Sequence, residues 1–353
     1  MTLRARFERA AARAFVRLPA PLLRTLIGPP RRSPEGFELD LQIQALVWLM
    51  TLTQGQEMTA GGLARARRVM DRNGSLLGPP AGDVSKSDRF VPGAAGERRA
   101  RVYRPLAAPA REAPALVWFH GGGFVFGSIE SHDGICRGLA SRSGAVVISV
   151  DYRLAPEHPF PAAVDDATAA TKWILSNAGS LGLDPRAIAV GGDSAGGNLA
   201  AVVSLALRGS ALVPAFQLLV YPATDFTRSE PSHKLFGSGL VLTTESMDWF
   251  VENYLPSAST HRDPRASPLF ARDLTGLPPA FVLTAGFDPL RDEGRAYADR
   301  LREAGVVVEY VCAEGAVHGF ANMAGSLREP SRVLGLLASR LRQGLSGAPP
   351  ARA

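Results

Sequence analysis

The chain has 353 residues, of which 46% are hydrophobic, with a formal net charge of +6 and two cysteines. This length favours one large domain with a lid over two independent domains, and two cysteines do not make a disulfide scaffold. The chain shows no secretory signal, no apolar run of the roughly 18 residues that a spanning helix needs, and no zinc-like cluster or nucleotide-binding motif. We therefore expect a cytoplasmic protein that uses neither a metal nor another cofactor.

A basic segment opens the chain. Residues 1–32 hold eight arginines against a single acid, Glu8, so they carry a charge of +7 and leave the remainder near −1. The positive charge therefore belongs to an N-terminal extension, residues 1–35, and implies no basic groove for nucleic acid in the rest of the chain. Apolar residues recur at helical spacing between these arginines: Leu3, Phe7, Ala11, Ala14 and Leu18.

A basic amphipathic helix of this kind has several ordinary roles. It can rest peripherally on an anionic membrane surface, dock on a partner such as a second copy in a homodimer, or pack on the protein's own cap. Prolines at positions 19, 21, 29 and 30 end the helix early and suit a chain that turns back onto the body. We expect the cap or dimer role, with peripheral membrane contact through residues 1–32 as the alternative.

Two segments interrupt an otherwise regular alternation of strand-like and helix-like runs. Residues 36–90 contain helical patterns over 39–52 and 59–73, and residues 225–275 are punctuated by proline and serine. Between residues 91 and 345, the alternation predicts an α/β fold with a mostly parallel central sheet and helices on both faces. We expect both interrupting segments to lie over the C-terminal edge of the sheet.

A glycine-rich loop follows the first buried strand. Residues 116–119 form an apolar run that ends in His120-Gly121-Gly122-Gly123-Phe124. Consecutive glycines let backbone amides turn toward a substrate oxygen without a Cβ in the way, as in the H-G-G-G loop of lipases and esterases. We expect the amides of Gly122 and Gly123 to form an oxyanion hole, and His120 to brace the turn by hydrogen bonds.

The most informative motif is Gly192-Asp193-Ser194-Ala195-Gly196. It follows an apolar strand-like run and precedes a helical run, which is the context that a nucleophile elbow requires. The tight turn needs small residues on both sides, and it places the serine at a helix N-terminus, where developing negative charge is favoured. We predict Ser194 as the nucleophile and the amide of Ala195 as a third oxyanion donor.

Two further residues suit a serine nucleophile. Asp288 follows the strand-like run 280–284, and His318 follows the strand-like run 306–311. Loops at the carboxyl ends of parallel strands carry the working residues of α/β sheets. The order Ser194, Asp288, His318 along the chain is that of α/β-hydrolases, and it predicts a triad in which His318 is the base and Asp288 its orienter.

With these motifs in place, the chain resembles the hormone-sensitive-lipase-like family of α/β-hydrolases, the bacterial family IV esterases. The resemblance runs from about residue 37 to 345 and includes the loop at 120–124, the run 151–163, the motifs 192–198 and 288–293, and residues 318–320. Asp193 places the chain in the Gly-Asp-Ser-Ala-Gly branch. The resemblance implies an α/β-hydrolase fold with a catalytic domain over 91–345 and the triad Ser194, Asp288 and His318. It also implies a helical cap, formed by cap helices in residues 36–90 with a further contribution from residues 225–275.

The implied activity is that of a serine carboxylesterase, which hydrolyses small-molecule esters of short to medium acyl chain through an acyl-enzyme on Ser194. An amidase or deacetylase of the same fold stays open, as does a non-catalytic ligand-binding protein on this scaffold, although the presence of His318 favours an enzyme. Four aromatic residues are candidates for lining the substrate pocket, with ordinary core packing as the alternative for each: Phe124, Trp249, Phe250 and Phe320.

Overall fold

One eight-stranded sheet organises the chain. The computed structural model describes residues 3–54, 62–77, 83–255, 257–325 and 327–347. The strands are β1 (Val84–Gly93), β2 (Gly96–Pro105), β3 (Ala113–Phe119), β4 (Val146–Val150), β5 (Leu183–Asp193), β6 (Phe216–Val220), β7 (Ala280–Phe287) and β8 (Val308–Val317). The helices are α1 (Leu3–Val16), α2 (Ala20–Ile27), α3 (Leu41–Gln54), α4 (Leu63–Leu77), α5 (Asp133–Ser143), α6 (Ala162–Ser176), α7 (Ala195–Leu207), α8 (Ser232–Leu235), α9 (Thr244–Tyr254), α10 (Arg291–Glu303) and α11 (Arg328–Leu345).

The order of the strands across the sheet is β1-β2-β4-β3-β5-β6-β7-β8. β2 is antiparallel to both β1 and β4, and every other neighbouring pair is parallel. Parallel neighbours require a crossover connection, which a helix usually supplies. The predicted α/β-hydrolase fold with a mostly parallel sheet is confirmed.

Helices cover both faces of this sheet. Successive side chains of a strand point to opposite faces, so Val117 and Phe119 of β3 pack with α6, α7 and α10, whereas Leu116 and Trp118 pack with α5 and α11. The central strands are therefore apolar on both sides, which explains why they are continuous apolar runs in the sequence.

The carboxyl ends of β3, β5, β7 and β8 lie at one edge of the sheet, because these strands run parallel to one another. The residue that follows each strand therefore reaches the same edge. In chain order these residues are His120, Ser194, Asp288 and His318.

The sheet begins earlier than the sequence predicts. β1 starts at Val84, so the boundary placed after residue 90 falls inside the first strand. Within β1 only Val91 is buried, and Phe90 is exposed. An edge strand with a mostly solvated surface lacks the apolar pattern that reveals a buried strand, and the prediction of cap structure up to residue 90 was wrong for this reason.

The N-terminal extension packs against the cap in the residues described. Val16 and Leu23 are buried, and the ring of Phe15 stacks on Trp48 of α3 with 5.5 Å between centroids. Arg13 donates a hydrogen bond to the carbonyl of Gly325. Among the described residues, no helix is both long and apolar enough to cross a bilayer.

Replacing Leu23 tests this packing. Leu23 is 1% exposed and its neighbour Leu22 is 45% exposed. We expect Leu23→Ala to cost about 2–5 kcal/mol in the docking of α2, because a buried leucine leaves a cavity when it is truncated, and Leu22→Ala to cost about 0.5 kcal/mol or less. Limited trypsin digestion at the arginines of the extension measures the difference. Equal digestion rates of the two variants would contradict the packing.

Candidate active site

Ser194 lies in a strained turn between β5 and α7. Its backbone has φ 56° and ψ −119°, which non-glycine residues seldom adopt. A Cβ at Gly192 would overlap the carbonyl of Gly196, and a Cβ at Gly196 would overlap the carbonyl oxygen of Phe119. Only glycine fits at both places, so these two glycines are what allow the strand to turn this sharply into the helix.

The structure brings Ser194, His318 and Asp288 together. His318 Nε2 lies 2.9 Å from Ser194 Oγ, and His318 Nδ1 lies 2.8 Å from Asp288 Oδ2. Asp288 is fully buried, and its Oδ1 accepts a hydrogen bond of 2.9 Å from the amide of Leu290. With Nδ1–H donating to the carboxylate, Nε2 is the nitrogen available to accept the serine proton.

Two other carboxylates of the motif at residues 288–293 are hydrogen-bonded to other partners. Asp292 accepts hydrogen bonds from the amide of Ser232 and from Arg291. Glu293 is fully buried, lies 2.6 Å from Nε2 of His233 and accepts from the amide of Thr224. Burial raises the pKa of Glu293 against the opposing influence of His233. Asp292 holds the start of α8, and Glu293 holds the loop that follows β6. Of these three carboxylates in the described structure, Asp288 alone is hydrogen-bonded to His318.

The glycine loop after β3 presents free amides beside Ser194. Gly122 and Gly123 have positive φ values of 121° and 60°, which glycine adopts without strain. The carbonyl of Gly122 is turned away to accept hydrogen bonds from the amides of Val125 and Phe126. Within the described ranges, the amides of Gly122, Gly123 and Ala195 donate to no protein acceptor, so they are available to a ligand.

Asp193, which precedes the nucleophile, connects two of the functional loops. Its buried carboxylate accepts hydrogen bonds from the amide of Gly121 (3.0 Å), from Nε2 of His132 (3.2 Å) and from the side-chain amide of Asn322 (3.0 Å). Burial opposes ionisation of Asp193, but attraction by His132 and the hydrogen bond from Asn322 lower its pKa on balance. One carboxylate thus ties the glycine loop to the loop after His318.

Sequence reasoning missed this connection. Position 193 lies inside the serine motif, which was the one available signal. Nothing in the local sequence marks His132 or Asn322, because they meet Asp193 only through the folding of distant loops.

His120 braces the glycine loop, as the sequence indicated. Its Nδ1 donates to the carbonyl of Gly121 (2.9 Å), and its ring stacks on Tyr152, whose hydroxyl donates to the His120 carbonyl (2.7 Å). Burial and repulsion by His132 lower the pKa of His120 from 6.5 to about 3. The imidazole is therefore neutral and serves as a structural donor.

A cavity of about 200 Å³ opens onto Ser194. Three helices supply much of its wall, through Met50 of α3, Met70 of α4, and Met247 and Phe250 of α9. These side chains are apolar and mostly flexible, which suits an acyl chain better than a polar group. Within the described part of the chain, no group of three or more His, Cys, Asp or Glu residues could hold a metal ion.

Of the four aromatic residues expected at the pocket, Phe124 and Phe250 line the cavity and two do not. Trp249 packs on the ring of Phe126 at 5.2 Å instead, because adjacent residues of α9 point in directions about 100° apart. Phe320 is fully buried beside Tyr221 in the core. For these two residues the expectation of a pocket position is corrected to core packing.

Comparison with known proteins agrees with this geometry. A family profile described as alpha/beta hydrolase fold matches residues 116–322. The chain belongs to this family. Carboxylic ester hydrolase LipN of Mycobacterium tuberculosis is 48% identical over 247 residues, which are 68% of this chain and 65% of LipN. The ethyl acetate hydrolase of Pseudomonas putida is 40% identical over 69% of this chain and 78% of its own length.

Solved structures extend the likeness to nearly the whole chain. The ester hydrolase EH1AB1 from the metagenome of Lake Arreo, complexed with a derivative of bipyridine phosphonate, is 45% identical with a TM-score of 0.83. That match covers 90% of this chain and 100% of the other. The predicted membership of the hormone-sensitive-lipase-like family is confirmed.

The neutral state of His120 predicts how stability depends on pH. Because its pKa in the folded protein, about 3, lies below the ordinary 6.5, its contribution is complete above pH 6.5 and is lost as the pH falls toward 3. We expect the free energy of unfolding to fall by about 1.4 kcal/mol per pH unit from this residue alone.

Urea unfolding across this range checks the expectation. His120→Asn keeps a donor near the carbonyl of Gly121 and should show a shallower slope than the unsubstituted protein. The exposed His158, replaced by asparagine, is the matched control and should leave the slope unchanged. An identical slope in all three proteins would refute the assignment of a neutral, buried His120.

Proposed function

We propose that this carboxylic ester hydrolase is a serine carboxylesterase for short- to medium-chain acyl esters, with Ser194, His318 and Asp288 as its catalytic triad. The observation that carries the proposal is the continuous hydrogen-bonded series from Asp288 through His318 to Ser194, at 2.8 and 2.9 Å. Its serine end opens into the cavity under the cap. A solvated serine or a structural histidine would not need a fully buried carboxylate behind it.

In the first half of the reaction Ser194 Oγ attacks the ester carbonyl while His318 Nε2 takes its proton. Asp288 holds the imidazole in the required tautomer and stabilises the imidazolium. The amides of Gly122, Gly123 and Ala195 donate to the oxyanion of the tetrahedral intermediate. His318 then protonates the leaving alcohol, which departs and leaves the acyl-enzyme on Ser194.

In the second half a water molecule takes the place of the alcohol. His318 removes its proton as its oxygen attacks the acyl carbon, and the same amides receive the second oxyanion. Collapse of this intermediate returns the proton to Ser194 Oγ and releases the carboxylic acid. No step calls for a metal or a cofactor.

The proposed acyl range rests on the shape of the cavity. A volume of about 200 Å³ is smaller than the roughly 300–1,000 Å³ of sites for drug-sized ligands. Met50, Met70 and Phe250 close it with apolar surface. A short or medium acyl chain fits inside, whereas a long one would have to displace the cap.

Two alternatives stay testable on the same scaffold. An amidase or deacetylase would use the same triad and differ in its leaving group, but relatives such as LipN are named as ester hydrolases. A non-catalytic binding protein would have no use for the bond between His318 and Ser194. We also propose a cytoplasmic location, which suits two cysteines, Cys136 and Cys312, that are free in the structure.

A series of p-nitrophenyl esters of increasing acyl length tests the function. We expect the highest kcat/KM for short to medium chains and a decline for long ones. Ser194→Ala should lower kcat by about 10⁶, since the triad acts as a unit. Ser204→Ala is the control, because this buried serine lies on α7 and donates only to the carbonyl of Ala200.

The possible results distinguish the proposed esterase from the two alternative functions. Full turnover by Ser194→Ala would exclude the proposed nucleophile. A higher kcat/KM on matched amides than on esters would identify an amidase, and tight binding of esters without any turnover would identify a binding protein.

The choice of carboxylate has a test of its own. We expect Asp288→Asn to lower kcat by about 10⁴, because the wrong tautomer of His318 is then favoured. Asp292→Asn, four residues away, should cost far less, since Asp292 bonds Ser232 and Arg291. Steady-state kinetics on one short ester make the comparison, and the reverse order of damage would show that Asp288 is not the triad acid.

A further inference from the structure

Large apolar side chains are exposed on α2 of the N-terminal extension and on α3, and these two helices pack against each other. Leu22 and Leu26 of α2 are 45% and 50% exposed, and Trp48 and Leu52 of α3 are 38% and 63% exposed. Members of each pair are four residues apart, so each pair shares one face of its helix. Among the described residues, these four are half of the eight large hydrophobic side chains that are exposed. Apolar surface that the fold leaves uncovered is therefore concentrated on these two helices.

This exposure does not come from helices that fail to dock. Leu23 of α2 is buried, and Phe15 stacks on Trp48. On α3, Met50 lies about 200° around the helix from both Trp48 and Leu52, and Met50 lines the active-site cavity. The exposed pair is thus on the outer side of the same helix whose inner side covers the site.

Positive charge accompanies this apolar surface. Arg17 lies in the short connection between α1 and α2 and is exposed. Arg24 of α2 is also exposed, but it lies about 160° around the helix from both Leu22 and Leu26, so it faces away from that pair. Residues 1–32 carry +7, whereas the rest of the chain is near −1. An anionic partner is therefore attracted to the N-terminal part of the molecule in particular. This attraction orients the exposed surface of α2 and α3 toward the partner.

Charge also argues against a second copy of the chain as the occupant. A two-fold dimer places the same patch of each subunit against the other, which would set two segments of +7 face to face. An anionic bilayer matches both the exposed apolar side chains and the positive charge of this part of the molecule. Leucine and tryptophan insert at the boundary between headgroups and acyl chains, and arginine binds the phosphates.

We propose that the surface formed by Leu22 and Leu26 of α2 and Trp48 and Leu52 of α3, with Arg17 beside it, docks peripherally on an anionic phospholipid bilayer. Docking there leaves the cap between the bilayer and the cavity that opens onto Ser194. Membrane binding does not depend on the proposed chemistry, so Ser194→Ala should bind vesicles as the unsubstituted protein does.

Sedimentation with vesicles tests the proposal. The full chain should bind vesicles made of equal parts phosphatidylglycerol and phosphatidylcholine much more tightly than phosphatidylcholine alone, and added salt should weaken this binding. Leu22→Ser/Leu26→Ser should raise Kd at least about tenfold, through lost apolar contact. Arg17→Gln should raise Kd by about fivefold, whereas Arg24→Gln, on another face of α2, should raise it less.

Matched controls separate this surface from general effects. Leu106→Ser removes another exposed leucine, and Arg89→Gln removes another exposed arginine, both away from the cap. Both controls should bind like the unsubstituted protein. Circular dichroism melting verifies that each variant is folded. If the leucine pair impairs folding, Arg17→Gln, which alters one exposed side chain, carries the test.

Three results would overturn the proposal. The first is equal binding to neutral and anionic vesicles. The second is loss of binding in the control variants to the same extent as in the cap variants. The third is a dimer, measured by light scattering, that the leucine substitutions dissociate while vesicle binding stays absent, which would make this surface a contact between two copies.

Discussion

The site depends on a close approach between two turns of the backbone. The turn at Ser194 presses against the end of β3 so tightly that a Cβ at Gly196 would overlap the carbonyl of Phe119. This contact places the amide of Ala195 beside the glycine loop that follows β3, and Asp193 reinforces it through the amide of Gly121. Because both turns are backbone, their relative position is fixed without long side chains. Preorganised amides of this kind cost no reorganisation when an oxyanion forms.

The loops that carry His318 and Asp288 are held from outside the sheet, by the N-terminal part of the chain. The amide of Asp40 donates to the carbonyl of Gly315, and Arg13 donates to the carbonyl of Gly325, so the segment around His318 is bound on both sides. Glu35 accepts a hydrogen bond of 2.8 Å from Arg291, close to Asp288 in sequence. The N-terminal part of the chain, which the sequence predicts to turn back onto the body, thus helps to position the loops that carry His318 and Asp288.

The sequence predicted the features that depend on local pattern. Continuous apolar runs identified β3 and β5 because these strands are buried on both faces, and the small residues around Ser194 identified the turn because sterics demand them. The sequence-based prediction failed where the structure depends on what a side chain packs against after folding. The edge strand β1 has a solvated surface, the two aromatic neighbours on α9 differ only in direction, and the partners of Asp193 come from loops far along the chain.

Contacts of α4 connect this helix to the segment after the glycine loop and to the cavity. Arg67, Asp71 and Gly74 are spaced to share one face of this helix. Arg67 donates to the carbonyl of Val125, Asp71 accepts from Ser128, and Gly74 lies so close to the backbone of Ser131 that no larger residue fits. All three partners belong to the segment that leaves the glycine loop. Met70, on the same helix, lines the cavity. A change in the position of α4 would therefore alter the wall of the cavity and strain the glycine loop together.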